Sequence, residues 1–229
     1  MVDSLGDRMK LFYEDRSRYK LTRRVPVIMR LDGRAFHTLL RVARKPYDMG
    51  VIYAMQDTAM HLIEQIQGAK CAYVQSDEIS ILITDYDKLS TEAWFDYNIQ
   101  KMCSIAASMA SVYFTQHYRE DANFDCRVFN IPKEEVINYF RWRYKDWLRN
   151  SLQMLAQSLY SHRELHGQKA ASLHDMCMAV GHNWNDEKPV CKNGSFITKQ
   201  LDVLTDFNLM DLLDPTNSIL TSALYTVED

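Results

Sequence analysis

An α+β fold is predicted for this chain of 229 residues by three observations. Short apolar runs of strand length alternate with longer stretches of helical period. Two of those runs, "KCAYVQ" and "ISILIT", are separated only by "SDE", which is hairpin spacing. Between residues 25 and 131 the elements then fall in the order β-α-β-β-α-β, the split βαβ or ferredoxin-like arrangement.

Taken in order, residues 4–20 read as an amphipathic helix carrying Leu5, Met9, Phe12, Tyr13 and Tyr19, and residues 25–31 as a buried strand with its proline at the start. Pro46 and Asp48 precede a helical pattern to about Gln67, with Asp48 as its N-cap and Gly68 as its stop. The hairpin follows. A long helical pattern covers 91–118, and "FDCRVFNI" at 124–131 is a further strand. Residues 1–135 are expected to form the catalytic unit with its N-terminal helix. Residues 136–229 are expected to form a helical and C-terminal portion packed on it as one compact body.

Composition narrows the function classes. At 47% hydrophobic the chain can bury a substantial core. No apolar stretch approaches the ~20 residues that span a bilayer. The start "MVDSLGDRMK" lacks the apolar segment of a signal peptide, so no membrane partner and a cytoplasmic location are expected. Five cysteines, Cys71, Cys103, Cys126, Cys177 and Cys191, are an odd number without a C-x-x-C pair, which indicates neither a disulfide framework nor a zinc ribbon. The net charge of -3 hides two basic clusters, one between Arg8 and Lys45 and one in "RWRYKDWLR" at 141–149. Each alone reads as a solvated helix face; together they point to a polyphosphate or RNA ligand.

The chemistry is expected where carboxylates interrupt apolar runs. "RLDGRAFHTLL" ends the first strand in Asp32 and Gly33, and "SDE" places Asp77 and Glu78 in the hairpin turn. In a split βαβ fold the first two strands run parallel with the third between them, so Asp32 and Asp77 meet at one sheet edge. Two carboxylates brought together repel unless a cation lies between them, and hard divalent ions prefer such oxygens. The pair fits a two-metal phosphoryl-transfer centre holding Mg²⁺. Gly33 offers close backbone approach and a carbonyl ligand, and the turn Arg34, Ala35, Phe36 and His37 offers amides for a triphosphate. "LDGR" or "SDE" alone is also an ordinary turn; their matched placement is what favours a site.

The blocks "VIMRLDGRAFHTL", "KPYD", "YVQSDEISILI", "FDCRVFNIP" and "HNWNDEKPVCKNG" resemble, in that order, those of the tRNA(His) guanylyltransferase superfamily of 3′–5′ RNA polymerases, over most of residues 4–200. The resemblance implies a polymerase-type palm with additional helices and a small C-terminal portion, adding nucleotides to the 5′ end of tRNA. It implies two Mg²⁺ ions and ATP, GTP and other nucleoside triphosphates as substrates, and a homotetramer. By the same resemblance Asp32, Asp77 and the Gly33 backbone are the metal ligands, with Glu78 in support. Ser76, Arg30, His37 and Lys45 lie near bound nucleotide, and Arg127 takes the arginine of an "FDGR" block whose glycine is here Cys126. The motif also places Arg143, Lys145, Arg149 and Asn150 near RNA.

One departure bears on specificity. Where eukaryotic members have "HINNLYN", this chain has Leu148 at the histidine and keeps Asp146 and Asn150. That pattern resembles guanylyltransferase-like proteins that repair 5′-truncated tRNA by template. The alternatives are a dedicated tRNA(His) guanylyltransferase, a palm-type nucleotide cyclase and a non-catalytic tRNA-binding protein. His162 and His166 at i, i+4 invite a metal reading, but without a third ligand they read as a helix end.

Overall fold

The computed structural model describes residues 4–207. Its elements are α1 (Leu5–Phe12), β1 (Val27–Gly33), α2 (Phe36–Leu39), α3 (Met49–Gln65), β2 (Ala69–Gln75), β3 (Glu78–Ile83), α4 (Ile99–Tyr118), β4 (Phe124–Asn130), α5 (Lys133–Leu159), α6 (His162–Leu165), α7 (Ala170–Ala179), α8 (Pro189–Asn193), β5 (Ser195–Thr198) and β6 (Val203–Leu204). The strands form one sheet in the order β4-β1-β3-β2-β5-β6, every neighbouring pair antiparallel. Because β3 runs antiparallel to both β1 and β2, those two are parallel to each other. The topology expected from the sequence is therefore the one observed.

Period-two alternation divides the side chains between two layers. Val27, Met29 and Leu31 of β1 and Ile79, Ile81 and Ile83 of β3 point into a core shared with α3 and α4. Ile28, Leu82, Tyr73 and Phe196 point the other way, against Val136, Tyr139, Phe140 and Tyr144 of α5. Arg30, Asp32, Gln75, Glu78 and Ser80 fall on this second face by the same alternation. The far half of α5 leaves the sheet and packs Leu152, Leu155 and Ala156 against Leu173 and Cys177 of α7.

Asp48 caps α3 as expected, accepting from the Gly50 and Val51 amides at 2.8 and 3.2 Å. Gly68 sits at φ 84° beyond its end, where a Cβ would meet the Thr84 carbonyl at 2.3 Å. Two expectations are corrected. The helix expected over 91–118 begins at Ile99 behind an Asn98 cap, because Phe95 and Asp96 adopt left-handed conformations that break the pattern. The helix expected over 4–20 stops at Phe12, a 3₁₀ turn follows, and Leu5, Met9, Phe12, Tyr13 and Tyr19 are all exposed. No helix among the described residues is long and apolar enough to cross a membrane.

Candidate active site

β1 carries Asp32 to the sheet edge directly opposite Glu78, the first residue of β3. Asp125 of β4 lies opposite Asp32 on its other side. The Gly33 amide donates to the Asp77 carbonyl at 3.0 Å, so the end of β1 is tied to the β2–β3 turn. Ser76 makes that turn tight with φ at 47°. Parallel β1 and β2 with β3 between them thus bring Asp32 and Asp77 to one place, as two carboxylates separated by 45 positions of sequence require a tertiary fold to do.

The electrostatics of this pair fit a cation. Burial pushes the Asp77 carboxyl above the usual carboxylate range, a hydrogen bond from Ser76 works against that, and the charges of Asp32 and Glu78 add to it. A divalent ion would relieve both the burial and the repulsion. Among the described residues no group of three or more His, Cys, Asp and Glu side chains gathers as a metal cluster. A bound ion would therefore complete its shell with backbone, water and substrate oxygens, which is the habit of Mg²⁺.

Glu78 is engaged within the protein. Its carboxylate accepts from Arg143 Nε at 2.7 Å and Nη2 at 2.6 Å, and also from Gln75 at 3.3 Å and Ser80 at 3.2 Å. The Arg143 and Glu78 side chains are only 10% and 9% exposed. Glu78 is thus tied to α5. Its ion pair pins α5 across the mouth of the sheet edge and leaves Asp32 and Asp77 as the open carboxylates.

Between the turn and α5 lies a cleft of about 240 Å³, lined by Asp32, Gln75, Ser76, Asp77, Glu78, Arg143, Trp147, Asn150 and Met154. A smaller, apolar recess of about 60 Å³ adjoins it at Ser76, Trp147 and Met154 and runs beneath Leu40, Ala43, Lys45, Pro46 and Tyr47. A polar cleft with two open carboxylates beside an apolar pocket is the form of a site that takes a charged group and a flat apolar one together.

The family model for tRNAHis guanylyltransferase matches residues 6–132, more than half of the chain. The chain belongs to the tRNAHis guanylyltransferase family. Members are nucleotidyltransferases acting on tRNA. Among solved structures it resembles a bacterial tRNA(His) guanylyltransferase-like protein in complex with ATP, at 40% identity and a TM-score of 0.91 over 97% of this chain and 100% of that one. A bacterial tRNA(His) guanylyltransferase-like protein in complex with GTP gives 39% identity and a TM-score of 0.84 over 97% of this chain and 100% of that one. A protein of Acanthamoeba polyphaga mimivirus, described as uncharacterized, is 28% identical over 96% of this chain and 83% of its own length. The probable tRNA(His) guanylyltransferase of Homo sapiens is 29% identical over 76% of this chain, which spans 64% of that protein.

Other residues expected from the guanylyltransferase resemblance fall in several places. Gly33 has a packing reason beside any close approach to a ligand, since a Cβ there would lie 2.3 Å from the Phe36 ring. That ring is buried against Phe114 and Phe124. Ala35 turns the chain with φ at 55°, and Arg34 donates its amide to the Asn123 carbonyl at 2.8 Å. The Arg34 amide is thereby removed from the expected phosphate cradle. Arg34, His37 and Lys45 are exposed near the turn, and Lys45 borders the apolar recess. Arg30 is half-buried opposite Ser80 and Arg127. Arg127 is exposed beside Asp125 and lies 4.0 Å from Asp32.

On α5 the expected row of RNA-facing residues divides. Arg143, expected near RNA, is buried in the pair with Glu78, lies over the Trp142 ring at 4.6 Å and lines the cleft. Lys145, Arg149 and Asn150 are exposed, Arg149 pairs with Asp146, and Asn150 borders the cleft. Leu148 packs toward the sheet with the α5 core. His162 is the first residue of α6 and His166 follows its last, and the helix start is fixed by a capping box between Ser161 and Glu164. Sequence reasoning missed Gln75, Trp147 and Met154. The available signal was Gln75, a polar residue closing the apolar run "CAYV".

Proposed function

We propose that this guanylyltransferase-family chain is a template-dependent 3′–5′ nucleotidyltransferase that restores 5′-truncated tRNA. The observation that carries the reading is the pair of open carboxylates, Asp32 and Asp77, held at one sheet edge above a cleft while Glu78 is withdrawn into the Arg143 pair. Asp32, Asp77 and the Gly33 carbonyl would hold two Mg²⁺ ions, which when bound supply charge stabilisation to the transferring phosphoryl group. The donor set is all oxygen and suits them.

The protein's own residues do the rest. Ser76 orients Asp77 from within the turn. Lys45 borders the apolar recess, which suits a planar base, and His37 on α2 and Arg30 on β1 would add positive or protonatable groups suited to a triphosphate. Asn150 borders the same cleft and Arg127 lies 4.0 Å from Asp32; with Lys145 and Arg149, exposed elsewhere on α5, they would meet the phosphates of an acceptor stem. ATP would adenylylate the 5′-monophosphate with release of pyrophosphate, and the incoming nucleotide's 3′-hydroxyl would attack that phosphate, forming the new phosphodiester and releasing AMP.

Leu148, turned into the core, supplies packing rather than a polar contact on this helix face. Selection of the added base then falls to pairing with the opposite acceptor strand. A tRNA lacking its first 5′ nucleotide is expected to receive whichever base complements the opposing one, and the choice is expected to follow when that opposing base is changed. Guanylate added to tRNA(His) alone, whatever the template, would replace this reading with that of a dedicated guanylyltransferase. Bound tRNA without Mg²⁺-dependent incorporation would replace it with a binding role.

A further inference from the structure

α5 covers only part of the sheet face that carries Asp32. Ser80 and Leu82 of β3 and Tyr73 of β2 are buried beneath it, whereas Asp125, Arg127 and Phe129 of the edge strand β4 are exposed and Arg30 of β1 is half-buried. Asp125 lies opposite Asp32 and Arg127 opposite Arg30, so these residues share the face. An open strip of sheet therefore runs from Asp32 along β1 and β4, with a flank of α5 as its wall. On that flank stands Trp142, 53% exposed.

Two neighbours fix the indole. The Arg143 guanidinium lies over the ring at 4.6 Å, and Tyr139 meets it at 5.9 Å and 74°. Tyr139 in turn packs on Phe129 at 5.9 Å and shares a hydrogen bond with Ser80 at 2.9 Å. Arg143 is bound to Glu78, which lies opposite Asp32 across the β1–β3 ladder. The exposed ring is thus tied to the carboxylate edge through Arg143 and Glu78, and to the open strip through Tyr139.

A fixed aromatic surface with cations beside it is the make-up of single-stranded nucleic-acid sites, where bases stack on rings and Lys or Arg meets the backbone. Arg30 forms no ion pair among the described residues, and Arg127 lies 4.0 Å from Asp32. With a cation on Asp32 the strip keeps an excess of positive charge, Arg30 and Arg127 against Asp125. That charge suits RNA and opposes symmetric pairing with a second copy of the same strip. The last base pair before the 5′ phosphate must leave its outer face to the incoming nucleotide, so a base that stacks on protein is an unpaired one. We propose that Trp142 is the stacking platform for an unpaired base of the RNA strand opposite the 5′ end. Stacking is sequence-tolerant because every base has a π-face, which a template-directed enzyme requires. The proposal rests on the reading of Asp32 and Asp77 as a 5′-end nucleotide-adding centre.

The test is binding of 5′-phosphorylated acceptor-stem hairpins, with Mg²⁺ and no triphosphate, to the full chain and to Trp142→Ala and Trp142→Phe. One hairpin carries a short single-stranded 3′ extension, and its control carries an extension of equal length whose sugars bear no bases, so that both present the same phosphates. The wild type should bind the base-bearing hairpin about tenfold tighter than the control, as one stacked base allows. Trp142→Ala should erase that preference and Trp142→Phe should keep most of it. The salt dependence of binding should be the same in Trp142→Ala as in wild type, because no phosphate contact is lost. 2-Aminopurine in the extension should lose emission on binding wild type and keep it with Trp142→Leu, which serves if the alanine variant does not fold.

Equal affinity of wild type for the two hairpins would overturn the proposal, as would a preference that survives both Trp142→Ala and Trp142→Leu. Equal weakening of both hairpins by Trp142→Ala, with a fall in the sedimenting mass of the protein, would assign the ring to a contact between copies of the chain and overturn it too. Incorporation separates the two levels. If wild type adds no nucleotide to the 5′ end of a truncated tRNA, the functional reading fails and takes the proposal with it. If it adds nucleotides there and shows no preference for the base-bearing extension, the platform alone fails.

Discussion

Asp77 is a carboxylate disfavoured by burial and by two neighbouring negative charges. Such a residue weakens the metal-free fold, so Asp77→Asn should raise the thermal midpoint without Mg²⁺ by about 2–4 °C, the shift that ~1 kcal/mol gives a chain of this size, while abolishing incorporation. A lower midpoint would show that the charge is compensated within the protein. Asp48 shows the opposite electrostatics. Burial acts to raise its carboxyl, but the Arg44, Val51 and Gly50 amides outweigh it and hold it below the usual value. A depressed folded value means stability present above the unfolded value near 3.8 and lost as pH falls through the folded one. Asp48→Asn should therefore cost up to about 1 kcal/mol at pH 7, with the difference from wild type closing below pH 4 in denaturant titrations. At this scale the sequence showed Asp32 and Asp77 because carboxylates interrupt apolar runs. It did not show why residue 33 must be glycine against Phe36, since an aromatic ring folding back three positions leaves no mark in the spacing.

α5 is the element that turns a sheet edge into a cleft. Its hold on the edge is the buried Arg143–Glu78 pair, and breaking such a pair leaves an unpaired buried charge. Arg143→Ala should lose about 3–5 kcal/mol and lower turnover with it. Lys145→Ala, on the exposed side of the same helix, should stay within about 0.5 kcal/mol of wild type. Lys145→Ala should instead flatten the salt dependence of tRNA binding by about one unit of slope. Equal stability losses for the two variants would put Arg143 back on a solvated face. The sequence displayed "RWRYKDWLR" as one basic cluster because charge counting cannot tell which cation has a buried carboxylate waiting 65 positions earlier. The same limit explains α1, where period-3.6 spacing identifies an apolar face but not what covers it.

The topology of residues 25–131 was legible because strand lengths, the short hairpin spacing and the helix caps all favour the same βαββαβ order, and that order brings Asp32 to Asp77; the turn itself is two residues, with Glu78 already in β3. Less legible were β5 and β6, short strands from beyond α5 that extend the sheet past β2 and are secured there by Gln56 on Ser195 at 2.6 Å. Four residues of strand after a helix end carry too little periodicity to be seen alone. Residues 208–229, for which a small C-terminal portion was expected, lie outside the described residues. At the scale of the molecule the claim is that two carboxylates, one cleft and one basic helix face act as a single 5′-end nucleotide-adding centre. Its most direct test is incubation of the full chain with Mg²⁺, labelled nucleoside triphosphates and a 5′-truncated, 5′-phosphorylated tRNA, followed by mapping of the labelled end. The account predicts label at the 5′ end, complementary to the opposing strand, and reduced by orders of magnitude in Asp32→Ala and Asp77→Ala proteins that still fold. Label at the 3′ end, or undiminished 5′ label in both variants, would contradict it.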